Sequence, residues 1–379
     1  MIYEKEDIIA VDALAISRTS AGSFTVLICL IRELIVLSHY KFIIFVVSHD
    51  IEKELTVFDE RCRYVYVPSW AKSLPLRLLW EQFFLPGLAK KAGCKLLYSA
   101  SGYPELFISL PVVTHQQNLW PFVQSQKWWT LKNHMKSFLR RRVAGLALRN
   151  SRANLFISDY LRGCANALYP GTKSKNFTVH NAISSNDISD TKPVFAEWID
   201  KPFCLSVSSL VIHKNYLNLL KSFKIATDRI ENLNLVIVGN NTTTYGLEVR
   251  RLSEQLGLQK RVIFVGPLDL QEVYFLYKNA LFSINISLLE GFGIPVLESM
   301  ALGCPVICSK AAAFLEIGGK AVCYCQPHDL QDISQKMVRM YSDEGLREKC
   351  RIDGLEQSGK FNWTQSAKAL LDIFKKILS

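Results

Sequence analysis

The sequence predicts an α/β protein whose parallel, doubly wound sheets are packed between helices. Three observations support this fold class. Short apolar runs alternate along the chain with amphipathic stretches of helical period. The apolar runs are continuous, as expected for strands that are buried on both faces of a parallel sheet. Finally, 379 residues suit two domains better than one, and 49% hydrophobic against 21% charged residues can fill their cores.

The second half of the chain shows this alternation most clearly. We predict strands at 203–208, 234–239, 261–266, 280–286 and 305–308. The helices predicted between and after them are 215–229, 246–256, 270–279 and 295–302. Such an order is typical of a doubly wound parallel sheet.

The first half repeats the pattern less regularly. Strands are predicted at 8–14, 42–48, 64–68, 95–99, 111–114 and 153–158. We therefore predict two Rossmann-like domains, over residues 1–195 and 196–360, with the polar stretch 184–192 near their junction. The C-terminal segment 361–379 contains an amphipathic helix at 364–377.

Cysteine usage and the N-terminal residues indicate a reducing compartment. The ten cysteines are scattered and form no CxxC, and one residue between Cys323 and Cys325 is poor geometry for a bridge or a zinc site. The acidic residues within 1–7 do not suit a signal peptide. No run reaches the roughly 18 apolar residues of a membrane-spanning helix. We expect reduced thiols and a cytosolic protein.

The net charge of +11 is concentrated in one segment of the first half. Residues 1–195 have a net charge of +9, and residues 196–379 have +2. The segment 127–152 has no acidic residue and contains the cations Lys127, Lys132, Lys136, Arg140, Arg141, Arg142, Arg149 and Arg152. An anionic membrane, phosphorylated ligands and nucleic acid are the partner classes that such an excess suggests.

Aromatic and apolar residues lie between these cations at near-helical spacing. Trp128, Trp129, Phe138 and Leu139 are the largest of them. The combination favours a helix at a membrane interface, with each Lys or Arg contributing about 1 kcal/mol against anionic lipid. The predicted membrane contacts are Lys127, Trp128, Trp129, Lys132, Lys136, Arg140, Arg141 and Arg142. A solvated helix that packs its apolar face inward is the alternative, whereas the absence of a recognisable nucleic-acid module disfavours nucleic acid.

The most informative stretch runs from 287 to 305. Its loop contains Gly291 and Gly293, and Pro295 suits the first turn of the helix that follows. A helix N-terminus at the carboxyl end of a strand is a position where α/β sheets bind anionic ligands. Glu290 and Glu298 flank the loop, and carboxylates accept hydrogen bonds from sugar hydroxyls. A capped helix with a solvated Glu298 is the structural alternative.

The same stretch resembles the Glu-x7-Glu signature of the family 4, or group 1, retaining glycosyltransferases. Seven residues separate Glu290 from Glu298, and the Glu-Gly-Phe-Gly-x-Pro run matches as well. The resemblance extends over essentially the whole chain. It includes 205–215, 261–266, Trp80-Glu-Gln82 and Phe156-Ile-Ser158.

The resemblance implies a GT-B fold, in which two Rossmann-like domains face a cleft and the C-terminal helix crosses back to the first domain. The first domain would bind the acceptor and the second the nucleotide sugar. The implied reaction moves a hexose from a nucleoside diphosphate to a hydroxyl with retention, by front-face substitution. No Asp-x-Asp stands beside a strand end, so we expect neither a metal nor another cofactor.

The resemblance also assigns roles to individual residues. Glu290 would contact the donor sugar near its reacting carbon, and Lys214 would neutralise the diphosphate. His115 would contact the donor sugar or orient the acceptor, although a purely structural histidine is an equal alternative. The implied donor-binding residues are Gly22, Ser209, His213, Lys214, Glu290, Gly291, Phe292, Gly293, Ile294, Val296 and Glu298.

Two departures from the family pattern bear on donor binding. Ser208 replaces the usual glycine, which predicts crowding near the phosphates. His213 stands where many relatives have arginine, and it is expected to be only partly charged near neutral pH.

The expected partners follow from the resemblance and from the cationic segment. They are a nucleotide sugar, with GDP-mannose ahead of a dTDP- or UDP-sugar, a lipid-linked oligosaccharide acceptor and an anionic membrane surface. The predicted setting is O-antigen or capsule synthesis at the cytoplasmic face of the inner membrane. The alternatives are a sugar-nucleotide epimerase of the same fold and a non-catalytic, basic membrane-binding protein.

Overall fold

The chain divides into two compact units. One contains Met1–Ala182 and Asn362–Ser379, and the other contains Ile183–Phe361. The computed structural model describes residues 7–16, 21–55, 60–124, 126, 129–183 and 201–379. The predicted domain boundary at 195 and the polar stretch 184–192 lie outside these described residues.

The first unit is built on one parallel sheet. Its strands are β1 (Ile8–Asp12), β2 (Lys41–Val46), β3 (Cys62–Tyr66), β4 (Leu96–Ser99), β5 (Val112–Gln116), β6 (Ala153–Phe156) and β7 (Asn176–Thr178). They are ordered β3-β2-β1-β4-β5-β6-β7. The helices are α1 (Ala21–Leu37), α2 (Asp50–Leu55), α3 (Leu74–Phe83), α4 (Leu85–Lys91), α5 (Leu131–Asn150) and α6 (Asp159–Leu168).

The second unit has the same architecture with fewer strands. They are β8 (Phe203–Val207), β9 (Asn234–Val238), β10 (Val262–Gly266), β11 (Phe282–Asn285), β12 (Val306–Ser309) and β13 (Cys323–Cys325). Their order is β10-β9-β8-β11-β12-β13, and all pairs are parallel. The helices are α7 (Tyr216–Thr227), α8 (Thr244–Gln255), α9 (Leu270–Asn279), α10 (Ile294–Ala301), α11 (Phe314–Gly318), α12 (Leu330–Ser342) and α13 (Glu344–Ser358).

The last helix, α14 (Trp363–Leu378), belongs to the first unit. Leu370 and Phe374 are fully buried in the core that α1 shares with one face of the first sheet. Ser366 on the same helix donates a hydrogen bond to the carbonyl of His180, at 2.7 Å. The predicted return of the C-terminal helix to the first domain is therefore confirmed.

In each sheet the strand order reverses between the first and the fourth strand of the unit. In the first unit this point lies between β1 and β4, and in the second it lies between β8 and β11. Because chain connections leave in opposite directions there, the carboxyl ends of these strands border an open crevice where α/β sheets bind ligands. The topology thus selects one edge of each unit as a candidate site.

The predicted doubly wound fold is confirmed, and most predicted strands appear within a few residues of their expected bounds. The sequence analysis missed two strands, β7 and β13, which are sheet edges of three residues each. β7 has the sequence Asn-Phe-Thr, which contains no continuous apolar run, and the Cys-Tyr-Cys of β13 is too short to stand out as a strand. Cys323 and Cys325 are free thiols in β13.

Candidate active site

The candidate site of the second unit lies where β8 and β11 end. The segment after β8 contains Asn215, whose φ of 65° places it in the left-handed region. Its side-chain amide donates to the carbonyls of Ile286, at 3.3 Å, and Pro327, at 2.7 Å. The N–H of Leu288 donates to the carbonyl of His213, at 2.7 Å. These bonds fix the segment after β8 against the one after β11.

The Lys214–Glu290 ion pair occupies this junction. The ammonium Nζ of Lys214 lies 2.6 Å from Oε2 of Glu290, although the two residues are 76 positions apart in sequence. The two side chains are only 16% and 17% exposed. The structure therefore brings two of the three predicted catalytic residues into direct contact at the switch point of the sheet.

His213 is neutral in this environment. Burial, together with the neighbouring Lys214 charge, lowers its pKa to about 4, against the opposing effect of Glu290. The expected partial charge near pH 7 is therefore wrong. Lys214 supplies the fixed positive charge of this segment.

Helix α10 begins at the loop that contains Glu290. Gly293 caps it with a φ of 108°, and a Cβ there would lie 2.9 Å from the ring of Phe314. Glycine is therefore required at this position on two counts. Phe292 packs edge-on against Phe361, at 5.9 Å between ring centroids.

The other predicted donor-binding residues, in the loop before α10 and on α10 itself, differ in exposure. Gly291 and Ile294 are partly exposed. Val296 is fully buried, and its N–H donates to the carbonyl of Gly293, at 3.0 Å. Glu298 is buried inside the helix, and this burial raises the pKa of its carboxyl to about 8.

Ser208 and Ser209 follow directly after β8. The hydroxyl of Ser208 lies 2.8 Å from that of Tyr216, which is fully buried in α7. Ser209 is exposed. Gly239, at the end of β9, has a φ of 135°, and a Cβ there would lie 2.2 Å from the carbonyl oxygen of Ser208. The two backbones approach each other so closely here that a glycine is required after β9, at Gly239, whereas the segment after β8 has Ser208.

In the first unit, His115 is the fourth residue of β5 and is almost completely buried. Its Nδ1 is hydrogen-bonded to the Tyr98 hydroxyl, at 2.7 Å, and its Nε2 has no hydrogen-bond partner among the described residues. Burial lowers the pKa of the ring to about 3, so His115 is neutral. Its catalytic role stays a prediction.

Gly22, one of the implied donor-binding residues, is the second residue of α1. The apolar run that follows it forms a continuous helix, and a glycine is tolerated in the first turn. A Cβ on Gly22 would meet nothing within 4 Å, so no close backbone approach requires glycine there.

Helix α5 contains most of the acid-free cationic segment. Thr130 caps its N-terminus by accepting a hydrogen bond from the N–H of Asn133, at 3.3 Å. The inward face of the helix consists mainly of small residues, whereas its large apolar side chains point outward. The exposed fractions are 78% for Leu131, 67% for Met135, 61% for Phe138 and 64% for Leu139. The alternative in which the apolar face packs inward is therefore wrong for this half of the helix.

Four cations flank this outward apolar stripe. Lys132, Lys136 and Arg140 are exposed, and the guanidinium of Arg142 lies 5.0 Å from the ring centroid of Phe138. We call the set Leu131, Lys132, Met135, Lys136, Phe138, Leu139, Arg140 and Arg142 the α5 surface. Among the described residues, no helix is both long enough and apolar enough to cross a bilayer.

Two predicted membrane contacts are used inside the unit instead. The guanidinium of Arg141 donates to the carbonyl of Val123 and is half-buried. Trp129 is half-buried against Trp120, with 6.1 Å between ring centroids. Lys127 and Trp128 lie outside the described residues. The position of the three consecutive arginines in the sequence does not show that Arg141, unlike Arg140 and Arg142, is used inside the unit.

The sequence analysis missed a second exposed apolar surface on α3 and α4. Leu79, Phe83 and Phe84 are 53%, 66% and 56% exposed, and Phe83 stacks on the exposed Phe107. The chain crosses the sheet in the same direction from β3 to β4 as from β5 to β6. Because such crossovers are right-handed, α3–α4 and α5 lie on the same face of the sheet.

Comparison with known proteins identifies the second unit. Residues 188–357 match the family described as "Glycosyl transferases group 1". The second unit is therefore similar to the group 1 glycosyl transferases. The Lys214–Glu290 pair and the capped helix α10 both lie within the matched glycosyl transferase region.

The relatives that this chain matches are distant. Over 178 residues it is 29% identical to the serotype-specific mannosyltransferase WbdA of Escherichia coli, covering 46% of this chain and 22% of that protein. It is 23% identical over 235 residues to the O-antigen chain mannosyltransferase B of Escherichia coli, covering 60% and 62%. The chain thus spans less than two thirds of the length of either relative.

The fold comparison extends over almost the whole chain. Anabaena HepE in complex with UDP and glucose superposes with a TM-score of 0.72 at 15% identity, covering 98% of this chain and 100% of that one. The predicted GT-B fold is thereby confirmed. At this identity the likeness concerns the fold alone.

Proposed function

We propose that this protein is a glycosyltransferase that moves a hexose from a nucleoside diphosphate to a hydroxyl acceptor in cell-surface polysaccharide synthesis. The observation that supports this most is the Lys214–Glu290 pair at the switch point of the second sheet. A fixed ammonium beside a carboxylate offers one group for a diphosphate and one for sugar hydroxyls. The relation to mannosyltransferases favours mannose, and GDP-mannose as the donor.

The chemistry follows from these two groups. The bond between the anomeric carbon and the diphosphate oxygen breaks, and a bond forms from the same carbon to the acceptor oxygen. Lys214 stabilises the negative charge that grows on the departing diphosphate. The acceptor proton passes to the diphosphate, on the face from which it leaves, so the configuration is retained. None of these steps uses a metal ion.

The α5 surface supports a lipid-linked acceptor as a further part of the proposal. Exposed apolar side chains flanked by Lys and Arg suit the boundary between headgroups and acyl chains of an anionic bilayer. The second apolar surface, on α3 and α4, lies on the same face of the first sheet. We propose that this face rests on the cytoplasmic side of the inner membrane while the second unit binds the donor.

A donor and acceptor panel tests the proposed activity. The full chain is incubated with GDP-, dTDP- and UDP-sugars, with and without bacterial membrane lipid extracts, in the presence of EDTA. We expect sugar transfer to the lipid fraction, with GDP-mannose as the best donor and with retention at the anomeric carbon. Analysis of donors incubated without an acceptor separates transfer from epimerisation.

Two results would contradict the proposal. A changed sugar configuration in the donor without transfer would identify an epimerase. Absence of transfer, hydrolysis and binding of GDP, UDP and dTDP, together with intact vesicle binding, would identify a non-catalytic membrane-binding protein.

Removing cations from the α5 surface should weaken membrane binding. In the variant with Lys132→Ala and Lys136→Ala, two contributions of about 1 kcal/mol each are lost. We expect affinity for vesicles that contain anionic lipid to fall by about 20- to 30-fold. Co-sedimentation with vesicles of anionic or purely zwitterionic lipid measures this, at low and at high salt.

The matched control is the pair Lys221→Ala and Lys224→Ala, two exposed lysines of α7 in the second unit. This variant should bind vesicles as the wild type does. Equal losses in both variants would show that net charge alone drives binding, and would contradict docking through α5.

A further inference from the structure

Three carboxylates meet in the interior of the first unit, outside the residues discussed so far. Asp12 is the last residue of β1, Glu81 lies on α3, and Glu105 lies in the segment between β4 and β5. One carboxylate oxygen of each lies within 4.8 Å of one from each of the other two. We call these residues the acidic cluster. It is located at the carboxyl end of β1, beside the switch point of the first sheet.

The cluster is buried but incompletely satisfied. Glu81 is 0% exposed and Glu105 is 5% exposed. Within the part of the chain that the structure describes, neither oxygen of Glu81 accepts a hydrogen bond, and Oε1 of Glu105 accepts none. Buried polar atoms in native proteins are almost always paired, so unpaired oxygens of two carboxylates that converge on one point indicate a missing ligand.

Protein contacts compensate only part of the charge. The guanidinium of Arg77 lies 3.3 Å from Oε1 of Glu81. Asp12 accepts hydrogen bonds from the N–H of Leu14 and the hydroxyl of Ser101, both at 3.1 Å. If all three carboxyls are ionised, one guanidinium leaves two uncompensated negative charges among buried side chains. A divalent cation would balance them.

Neighbouring contacts hold the carboxylates in place rather than letting them separate. The side-chain amide of Gln82 donates to the carbonyl of Pro104, at 2.8 Å, and accepts from the N–H of Leu106, at 2.7 Å. Trp80 is buried against Phe45, at 6.1 Å between ring centroids. Trp80 and Gln82, which flank Glu81, therefore hold α3 against the sheet on one side and against the Glu105 segment on the other.

We propose that Asp12, Glu81 and Glu105 bind one divalent cation. A donor set composed only of carboxylate oxygens suits Mg²⁺, Ca²⁺ or Mn²⁺, whose metal–oxygen distances of about 2.0–2.6 Å set two ligand oxygens at most about 4 to 5 Å apart. The three oxygens of the cluster, within 4.8 Å of one another, are close to that separation. The cation would tie β1, α3 and the segment before β5 together.

The test measures binding and stability of the full chain, without nucleotide or acceptor. After treatment with EDTA and its removal, the Tm is measured against increasing Mg²⁺, Ca²⁺ and Mn²⁺, and bound Mn²⁺ is counted by electron paramagnetic resonance. We expect a saturable rise in Tm with at least one of these ions and one bound Mn²⁺ per chain. In Glu105→Gln the affinity should fall by about tenfold or more.

Glu356→Gln, which alters an exposed carboxylate of α13, is the matched control and should respond as the wild type does. Asp12→Asn provides a second variant of the cluster if Glu105→Gln does not fold. An unchanged Mn²⁺ affinity in both cluster variants would overturn the proposal. The proposal would also be overturned if the wild type binds none of the three ions and is less stable than Glu105→Gln. The carboxyls would then share protons instead of a cation. None of these results depends on glycosyl transfer.

Discussion

Replacing Lys214 with alanine should lower kcat by about 10²- to 10³-fold. This is the usual loss when one group that stabilises developing charge is removed. The variant lacks the positive charge that we place beside the departing diphosphate. It also leaves Glu290, which is 17% exposed, without the ammonium that lies 2.6 Å from its carboxylate. Steady-state kinetics with the best donor measures the effect.

Two comparisons make this result specific. Lys224→Ala removes an exposed lysine of α7 and should leave kcat unchanged. Glu290→Gln keeps the lysine and removes the carboxylate charge, so we expect a loss in kcat with folding intact by circular dichroism. A Lys214→Ala variant that raises KM alone would show that the ammonium binds the donor equally in the ground state and the transition state.

The fold could be predicted because its signals are local and repeated. Buried parallel strands such as β9 and β12 are continuous apolar runs, and the alternating helices separate them in sequence. The short edge strand β7 escaped prediction because hydrogen bonds from a neighbouring strand, rather than its own composition, make it a strand.

The family resemblance named the candidate site in two separate segments, from Glu290 to Glu298 and at Lys214. The structure adds their geometry, because Nζ of Lys214 lies 2.6 Å from Oε2 of Glu290. The acidic cluster has no sequence signature, because Asp12, Glu81 and Glu105 come from three separate elements. Their convergence depends on the order of the strands, which no local pattern specifies.

Exchanging Glu298 for glutamine should stabilise the protein at high pH and weaken donor binding. Burial raises the pKa of Glu298 from 4.5 to about 8, so the folded state holds a proton that the unfolded state loses. This contribution to stability is complete below pH 4.5 and is lost as the pH rises towards 8. The glutamine variant does not titrate. We therefore expect it to have a higher Tm than the wild type at pH 8. Its free energy of unfolding should be larger by on the order of 3 kcal/mol.

The pH dependence separates this effect from ordinary repacking. The Tm difference should be small at pH 5 and should grow steadily to pH 8, whereas Glu254→Gln, an exposed carboxylate of α8, should show no such trend. A difference independent of pH would mean that packing, not the buried charge, is responsible. Because a ribose hydroxyl donates best to an ionised carboxylate, bound nucleotide should lower the pKa of Glu298 and release a proton. Calorimetry of nucleoside diphosphate binding in buffers of different ionisation enthalpy would detect that proton, and the glutamine variant should release none from this position. Ionisation by the bound ligand would thus explain why the protein keeps a buried carboxylate on α10, although its burial costs stability as the pH rises.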